Sequence, residues 1–341
     1  MKTYPKSEPK GQPTKTKKKE KTSNEIMHIS MCFDDKYLTP FTVLLTSILK
    51  NNESNPVHVH AIATGLSGNE KDHLKNLIRD RGGDIFYYQV ADERVKNLYL
   101  PKTSHLSISA YYRLFIAGMV PDSVGKLLYL DTDIIVNNSL AGIFATEMGN
   151  FAAAAVTEFS SNTVRPELGI TSPDMYFNSG VLLINIKEWR KQEISEKAIN
   201  FILNNPDKLI WGDQDALNAV FAGNYLRLAA KYNVIHSDVP TGLKKPELRK
   251  FIEDKAVIHY TLSRNKPWAK NCKSEIRFLY FDYMWQSTCW KEIFRLEFAF
   301  KLLRLKKNLI LKLTASLNTI GELGGRLNSV NLVKKKAVPN Q

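Results

Sequence analysis

The chain has 341 residues, 43% of them apolar, and a formal net charge of +14. Residues 1–25 contribute +5 (eight Lys against Glu8, Glu20 and Glu25) and residues 291–341 contribute +8 (eleven Lys and Arg against Glu292, Glu297 and Glu322), so 13 of the 14 charges lie in the two tails. A nucleic-acid reader carries its basic patch on the folded domain, so a near-neutral body with cationic appendages argues against nucleic acid and fits an anionic membrane surface.

Three cysteines, Cys32, Cys272 and Cys289, lie far apart without a CxxC, which points to a reducing compartment and away from a zinc site. The first 25 residues lack an apolar h-region. No window of about 18 uncharged apolar residues occurs. These features predict a cytoplasmic protein, peripheral on the inner face of the plasma membrane.

In chain order, residues 1–25 cannot bury enough surface to offset ordering entropy and read as a disordered basic tail. His28 to Asp34 reads as a first strand. Thr39 and Pro40 predict a helix start, with Thr39 as N-cap and Pro40 at N1. Val57 to Ala63 is a second strand. Ser67 and Glu70 have capping-box spacing at the head of a helix to Arg81, and Asp84 to Val90 is a third strand. Strand–helix alternation predicts an α/β fold with a mostly parallel, doubly wound sheet. A helix over Ser107–Ala117 follows. Then comes Lys126–Asn137, KLLYLDTDIIVN, whose branched apolar runs read as a buried strand carrying Asp131 and Asp133. Strands over Phe151–Thr157 and Tyr176–Ile186, a helix over Lys187–Leu203, a helix over Asp213–Phe221, and short strands at Tyr225–Ala230 and Ala256–Tyr260 complete a domain over residues 26–270. Residues 271–341, including a helix over Ser274–Trp290, form a basic, helical region that predicts membrane association.

The chemistry concentrates at strand ends. There is no GxGxxG after the first strand, no P-loop and no GxSxG elbow. In an extended chain residues i and i+2 share a side, so Asp131 and Asp133 can converge on a hard cation, although an Asx-type turn explains the same pair. Asp34 and Asp35 end the first strand, and His259 ends the strand VIHYT. Imidazole plus carboxylates suits Mn²⁺, and carboxylates with phosphate oxygens suit Mg²⁺. A metal with few protein ligands leaves room for a diphosphate, hence for a nucleotide whose diphosphate departs. Lys266 can reach such a phosphate. Asn178, beside Gly180, and Asp213-Gln214-Asp215 supply donors and acceptors for hydroxyl-rich ligands.

Together these motifs resemble glycosyltransferase family 8, retaining enzymes that use nucleotide sugars. The pieces are FDD with Tyr37, SISAYYRL, LLYLDTDIIV, YFNSGVLLINI with KEW, WGDQDALN and HY…KPW, in the family's order over Ile26 to Trp268. FLYFDYMWQSTCW is similar to the C-terminal segment of the lipopolysaccharide-core members. The resemblance implies a GT-A type domain. Asp34 and Tyr37 would contact the uracil, and Asp131 the ribose and metal. Asp131, Asp133 and His259 would hold Mn²⁺ or Mg²⁺. Arg113, Asn178, Asp213 and Gln214 would line the donor sugar, and Lys266 would meet the diphosphate. Two departures stand out: Lys36 replaces an amide, and TLSRNKPW is one residue longer and lacks the usual glycine. The implied activity is hexose transfer, glucose or galactose, from a UDP-sugar to a lipopolysaccharide or lipooligosaccharide core glycolipid. Double displacement would need a carboxylate, with Asp213 and Asp215 the candidates and Gln214 a poor nucleophile; same-face attack is the alternative. A protein or other surface-glycan acceptor, and a non-catalytic UDP-sugar-binding protein, are the rival readings.

Overall fold

A computed structural model of the protein describes residues 25–90, 92–98, 108–159 and 164–296. The expected disordered tail and most of the basic C-terminal region lie outside these residues. Strands are β1 (Met27–Asp34), β2 (Val57–Thr64), β3 (Asp84–Tyr88), β4 (Lys126–Leu130), β5 (Ile134–Val136), β6 (Ala153–Thr157), β7 (Phe177–Asn185), β8 (Leu226–Arg227) and β9 (Val257–His259). Helices are α1 (Leu38–Asn51), α2 (Gly68–Arg79), α3 (Asp92–Lys96), α4 (Arg113–Met119), α5 (Ala141–Phe144), α6 (Ile186–Lys191), α7 (Ile194–Asn204), α8 (Asp213–Phe221), α9 (Lys245–Ile252) and α10 (Arg277–Met284).

Seven strands form one sheet in the order β3-β2-β1-β4-β7-β6-β8. β1 pairs in parallel with β2 and β4, and β2 with β3, as strand–helix alternation requires. β7 runs antiparallel to both β4 and β6. The period of two sorts the core. Ile29, Met31, Phe33, Leu128, Leu130, Val181 and Leu183 face α1 and α2. Cys32, Leu127, Tyr129, Leu182 and Ile184 face α4, α6, α7 and α8. Helices on both faces give the doubly wound α/β architecture. α10 packs with Val43, Ile135, Ile258 and Tyr260 in a third cluster, so the folded body continues past residue 270.

Several local expectations change. Lys126–Asn137 is two strands: the chain turns at Asp131-Thr132-Asp133, and β5 leaves the large sheet to pair antiparallel with β9. α1 begins at Leu38 after a 3-10 turn, Asp35–Tyr37, so Thr39 is not its N-cap. Pro40 still sits in the first turn, where N–H groups have no intrahelical acceptor. The predicted helix over 187–203 breaks at Glu193, which has φ 55°. At about 100° per residue, Ile186 and Trp189 project away from Ile194, Ala198 and Ile202. A left-handed residue between the segments lets all five be buried. The Ser67–Glu70 capping box is present in both directions.

One buried polar cluster lies away from the strand ends. His28 Nδ1 is 2.9 Å from His60 Nε2, and His60 Nδ1 is 2.9 Å from the Tyr88 hydroxyl. Burial first, then the neighbouring His28 and His58, pushes His60 down to about 3. An unfolded histidine titrates near about 6.5, so acid favours the unfolded state. This contribution is intact above that pH and is lost as pH falls toward the folded value. Between pH 7 and pH 5 His60 alone should remove about 2 kcal/mol of stability, read from urea midpoints. His60→Phe should flatten the dependence, and an unchanged slope would contradict the assignment.

Candidate functional site

The site forms where β1 and β4 end and β7 begins, and sheet register builds it. Leu130 pairs with Val181, which sets Asp131 opposite Gly180; the Asp131 amide donates to the Gly180 carbonyl at 2.9 Å. Ile134 pairs with His259, so the β5–β9 ladder brings the imidazole beside Asp133. His259 Nε2 lies 3.2 Å from Asp133 Oδ1 and 3.6 Å from Asp131 Oδ2. Among the described residues, these three are the one group of His, Cys, Asp or Glu side chains whose ligand atoms all lie within 4.8 Å of one another. The expected convergence therefore exists, produced by a turn and a cross-strand pair and not by the pleat of one strand.

Two observations test whether the three side chains suit a divalent cation. A Cβ on Gly180 would stand 2.2 Å from His259 Cε1 and 2.7 Å from Asp131 Oδ2, so glycine keeps the cradle open. His259 Nδ1 is 3.1 Å from Asn233 Oδ1, while Asn233 Nδ2 donates to Asn178 Oδ1 at 2.9 Å. With Asn233 accepting, the Nδ1 proton is fixed and Nε2 presents a lone pair toward the carboxylates. Burial, outweighing the Asp131 carboxylate, holds His259 down to about 4, neutral as a metal ligand must be. The donor set fits Mn²⁺ or Mg²⁺ with positions left for other oxygens.

Arg113 closes the other side. Its Nη2 is 3.0 Å from Asp131 Oδ1 and its Nε 2.6 Å from Asp213 Oδ2. The Nε proton is directed at the Ala110 carbonyl, 3.1 Å away, so the Asp213 contact is electrostatic and its Oδ2 lacks a hydrogen bond. Nη1 donates to the Ser179 carbonyl at 2.8 Å, and the guanidinium stands 4.6 Å from the Tyr129 ring centroid. Burial opposes the Asp131 charge, but Arg113, His259 and the Tyr129 hydroxyl, which donates at 2.8 Å, keep its carboxyl below the usual range. Burial pushes Asp213 up to about 6 although Arg113 adjoins it.

The remaining expected residues divide. Asp34 caps the turn into α1, its carboxylate accepting from the Lys36 amide, and Tyr37 meets Trp268 edge to face at 5.9 Å. Burial, then the charges of Asp34 and Asp131, raises the Tyr37 hydroxyl above its ordinary value. Lys266 is ion-paired with Asp133, and burial pulls it down to about 8 despite Asp131. Leu262 has φ 66°, a conformation glycine adopts freely, in the segment that lacks the usual glycine. Gln214 Oε1 accepts from the Ser179 amide at 3.0 Å, and its Nε2 approaches Tyr176 and Glu158. Asn178 is committed to Glu158, Asn233 and the Gly180 amide.

Asp215 does not suit a nucleophile. It has no exposure, one oxygen accepts from Tyr176 at 2.6 Å and Arg165 at 3.2 Å, and the other accepts from the Ile210 and Trp211 amides. Sequence reasoning missed Arg165, Asn233 and Glu158. Glu158 follows β6 directly, and the strand-end rule applied to Asp34 and Asp131 would have marked it. Asn233 carries no such signal.

The profile described as Glycosyl transferase family 8 matches residues 28–272. The chain is 31% identical over 280 residues to General stress protein A of Bacillus subtilis, covering 79% of this chain and 96% of that protein. It is 32% identical over 252 residues to a lipopolysaccharide 1,2-glucosyltransferase of Escherichia coli, covering 72% and 74%. A crystal structure of galactosyltransferase LgtC, in complex with donor and acceptor sugar analogs, aligns with a TM-score of 0.66 at 25% identity over 77% of this chain and 96% of that one.

Two substitutions test the cradle. Gly180→Ala should abolish Mn²⁺ binding in an electron paramagnetic resonance titration while far-ultraviolet circular dichroism stays unchanged. Asn233→Ala should weaken Mn²⁺ by about 10- to 100-fold through loss of imidazole orientation. Parental affinity in both would contradict the site.

Proposed function

The chain belongs to glycosyl transferase family 8 and is a glycosyltransferase of GT-A type, and from that premise we propose a metal-dependent retaining hexosyltransferase. It takes glucose or galactose from a UDP-sugar and places it on a hydroxyl of a lipopolysaccharide or lipooligosaccharide core glycolipid, working at the cytoplasmic face of an anionic membrane. The observation that carries this reading is the convergence of Asp131, Asp133 and His259 around the space left by Gly180. A cation held there would neutralise charge on the diphosphate oxygens.

The chain's own groups then have distinct tasks. Asp34 and Tyr37, with Trp268 against the ring, form the edge that would receive the uracil. Asp131 divides its oxygens: Oδ1 is held by Arg113 and Tyr129, and Oδ2 faces His259. Lys266 would turn from Asp133 to the departing phosphate. Arg113, Asp213, Asn178 and Gln214 would line the sugar. Asp215 is occupied by Arg165 and Tyr176, and Asp213 is turned onto Arg113. This arrangement favours same-face transfer, in which the acceptor oxygen bonds to the anomeric carbon as the bond to the phosphate oxygen breaks. The departing phosphate takes the acceptor's proton.

A second reading keeps the same donor chemistry and makes the acceptor a protein or another surface glycan. Labelled transfer to purified core lipid against protein fractions separates the two.

With Mn²⁺ and a panel of UDP-sugars, UDP release should be selective for one hexose, and Asp131→Asn should reduce it by roughly 100-fold or more. Equal turnover in the variant would contradict the proposal. Asp215→Asn should act chiefly on stability, because an NH2 group replaces one of two buried oxygens that accept from Tyr176, Arg165 and the Ile210 and Trp211 amides, at a cost of about 1–3 kcal/mol. A parental melting temperature with abolished turnover would instead return Asp215 to the chemistry.

A further inference from the structure

Lys266 and Trp268 sit in a segment, residues 261–273, whose only regular structure is a 3-10 turn, Ser263–Asn265. Its entry is strained. Leu262 has φ 66° and ψ 142°, a backbone state that a bulky residue holds only where its surroundings over-determine it. Much of that constraint comes from α10 and the residue before it. The Tyr260 hydroxyl donates to the Ile276 carbonyl at 3.1 Å, and Arg277 Nε donates to the Pro267 carbonyl at 2.7 Å. The Tyr280 ring centroid lies 5.4 Å from that of Trp268 and 6.4 Å from that of Tyr260. α10 is fixed in turn on α1: Asn51 Nδ2 donates to the Tyr283 hydroxyl at 2.8 Å, and Leu279, Tyr280 and Met284 share a core with Val43 and Ile258. The family profile ends at residue 272, before α10 begins.

We propose that Arg277 and Tyr280 are positioning residues for the nucleotide sugar, acting from outside the stretch that the family profile covers. Pro267 joins Lys266 to Trp268, so a bond held on its carbonyl sets the direction in which both neighbouring side chains leave the backbone. Tyr280 contacts Trp268, and Trp268 contacts Tyr37, so three rings run in series from α10 to the edge assigned to the uracil. The Tyr280 hydroxyl is buried and makes no hydrogen bond, so its ring carries this role. Such a support pre-organises the donor site: the ordering cost of residues 261–273 is met by folding and not at each binding event. The inference rests on the UDP-sugar reading above and adds the residues that hold its nucleotide contacts in place.

The test titrates UDP with Mn²⁺ into the full chain by calorimetry, well below the melting midpoint of each variant. Mn²⁺ binding without nucleotide is followed by electron paramagnetic resonance. Tyr280→Leu should weaken UDP about tenfold and raise KM for UDP-hexose hydrolysis with kcat within about twofold, because a contact to the base is made equally in ground and transition states. Tyr280→Phe should restore parental values. Arg277→Ala, which leaves the core intact, should raise KM and lower kcat together, because Lys266 shifts with Pro267. Mn²⁺ affinity should stay within about twofold in all three, since Asp131, Asp133 and His259 are untouched. In a Trp268→Leu background, Tyr280→Leu should cost no further UDP affinity. Parental UDP affinity and kinetics in Tyr280→Leu and Arg277→Ala overturn the inference, as do losses that multiply in the double variant or a parallel loss of Mn²⁺, which marks general loosening. A parent that binds Mn²⁺ but no UDP overturns the donor reading itself.

Discussion

One guanidinium governs the site. Arg113 begins α4, and its planar fork spans Asp131 at the end of β4 and Asp213 at the start of α8. These carboxylates come from elements 82 positions apart in the chain and would repel if left alone. The guanidinium is buried with them, so solvent screens the contacts little, and removing it would strand two anions in a protein interior. Arg113 also reaches the Ser179 carbonyl on β7. One side chain thereby fixes the relation of two strand ends and a helix start.

The remaining geometry follows from register. Once Asp131 is fixed, β4–β7 pairing places Gly180 opposite it and β5–β9 pairing places His259 beside Asp133. A chain of amides from Asn178 through Asn233 sets the imidazole. The charge balance is then informative. Among the described residues, Asp131, Asp133 and Asp213 are ion-paired with Arg113 and Lys266, one positive charge short, and a divalent cation would offset that deficit and part of a diphosphate's charge while freeing Lys266 from Asp133.

The sequence carried much of this. The acidic strand ends, the alternating apolar runs and the ordered motifs identify the fold, the family and the three candidate ligands. Other features depend on distant residues and left no local mark. The turn at Thr132 looks like continuous strand because both flanks are buried, one in each sheet. Asp213 and Asp215 look equivalent on one helix, yet Arg165 and Tyr176 claim the second and Arg113 the first. The break at Glu193 follows from which faces of two helical segments must be buried, a property of the assembled core. Asn233 matters only because β9 brings His259 to it.

The most direct measurement is anomalous diffraction at the manganese edge from crystals grown with Mn²⁺ and UDP. The account predicts a single strong peak among Asp131, Asp133 and His259, with the Lys266 ammonium displaced from Asp133 toward the diphosphate. UDP bound with no peak there, or with manganese elsewhere and Lys266 still on Asp133, would contradict it.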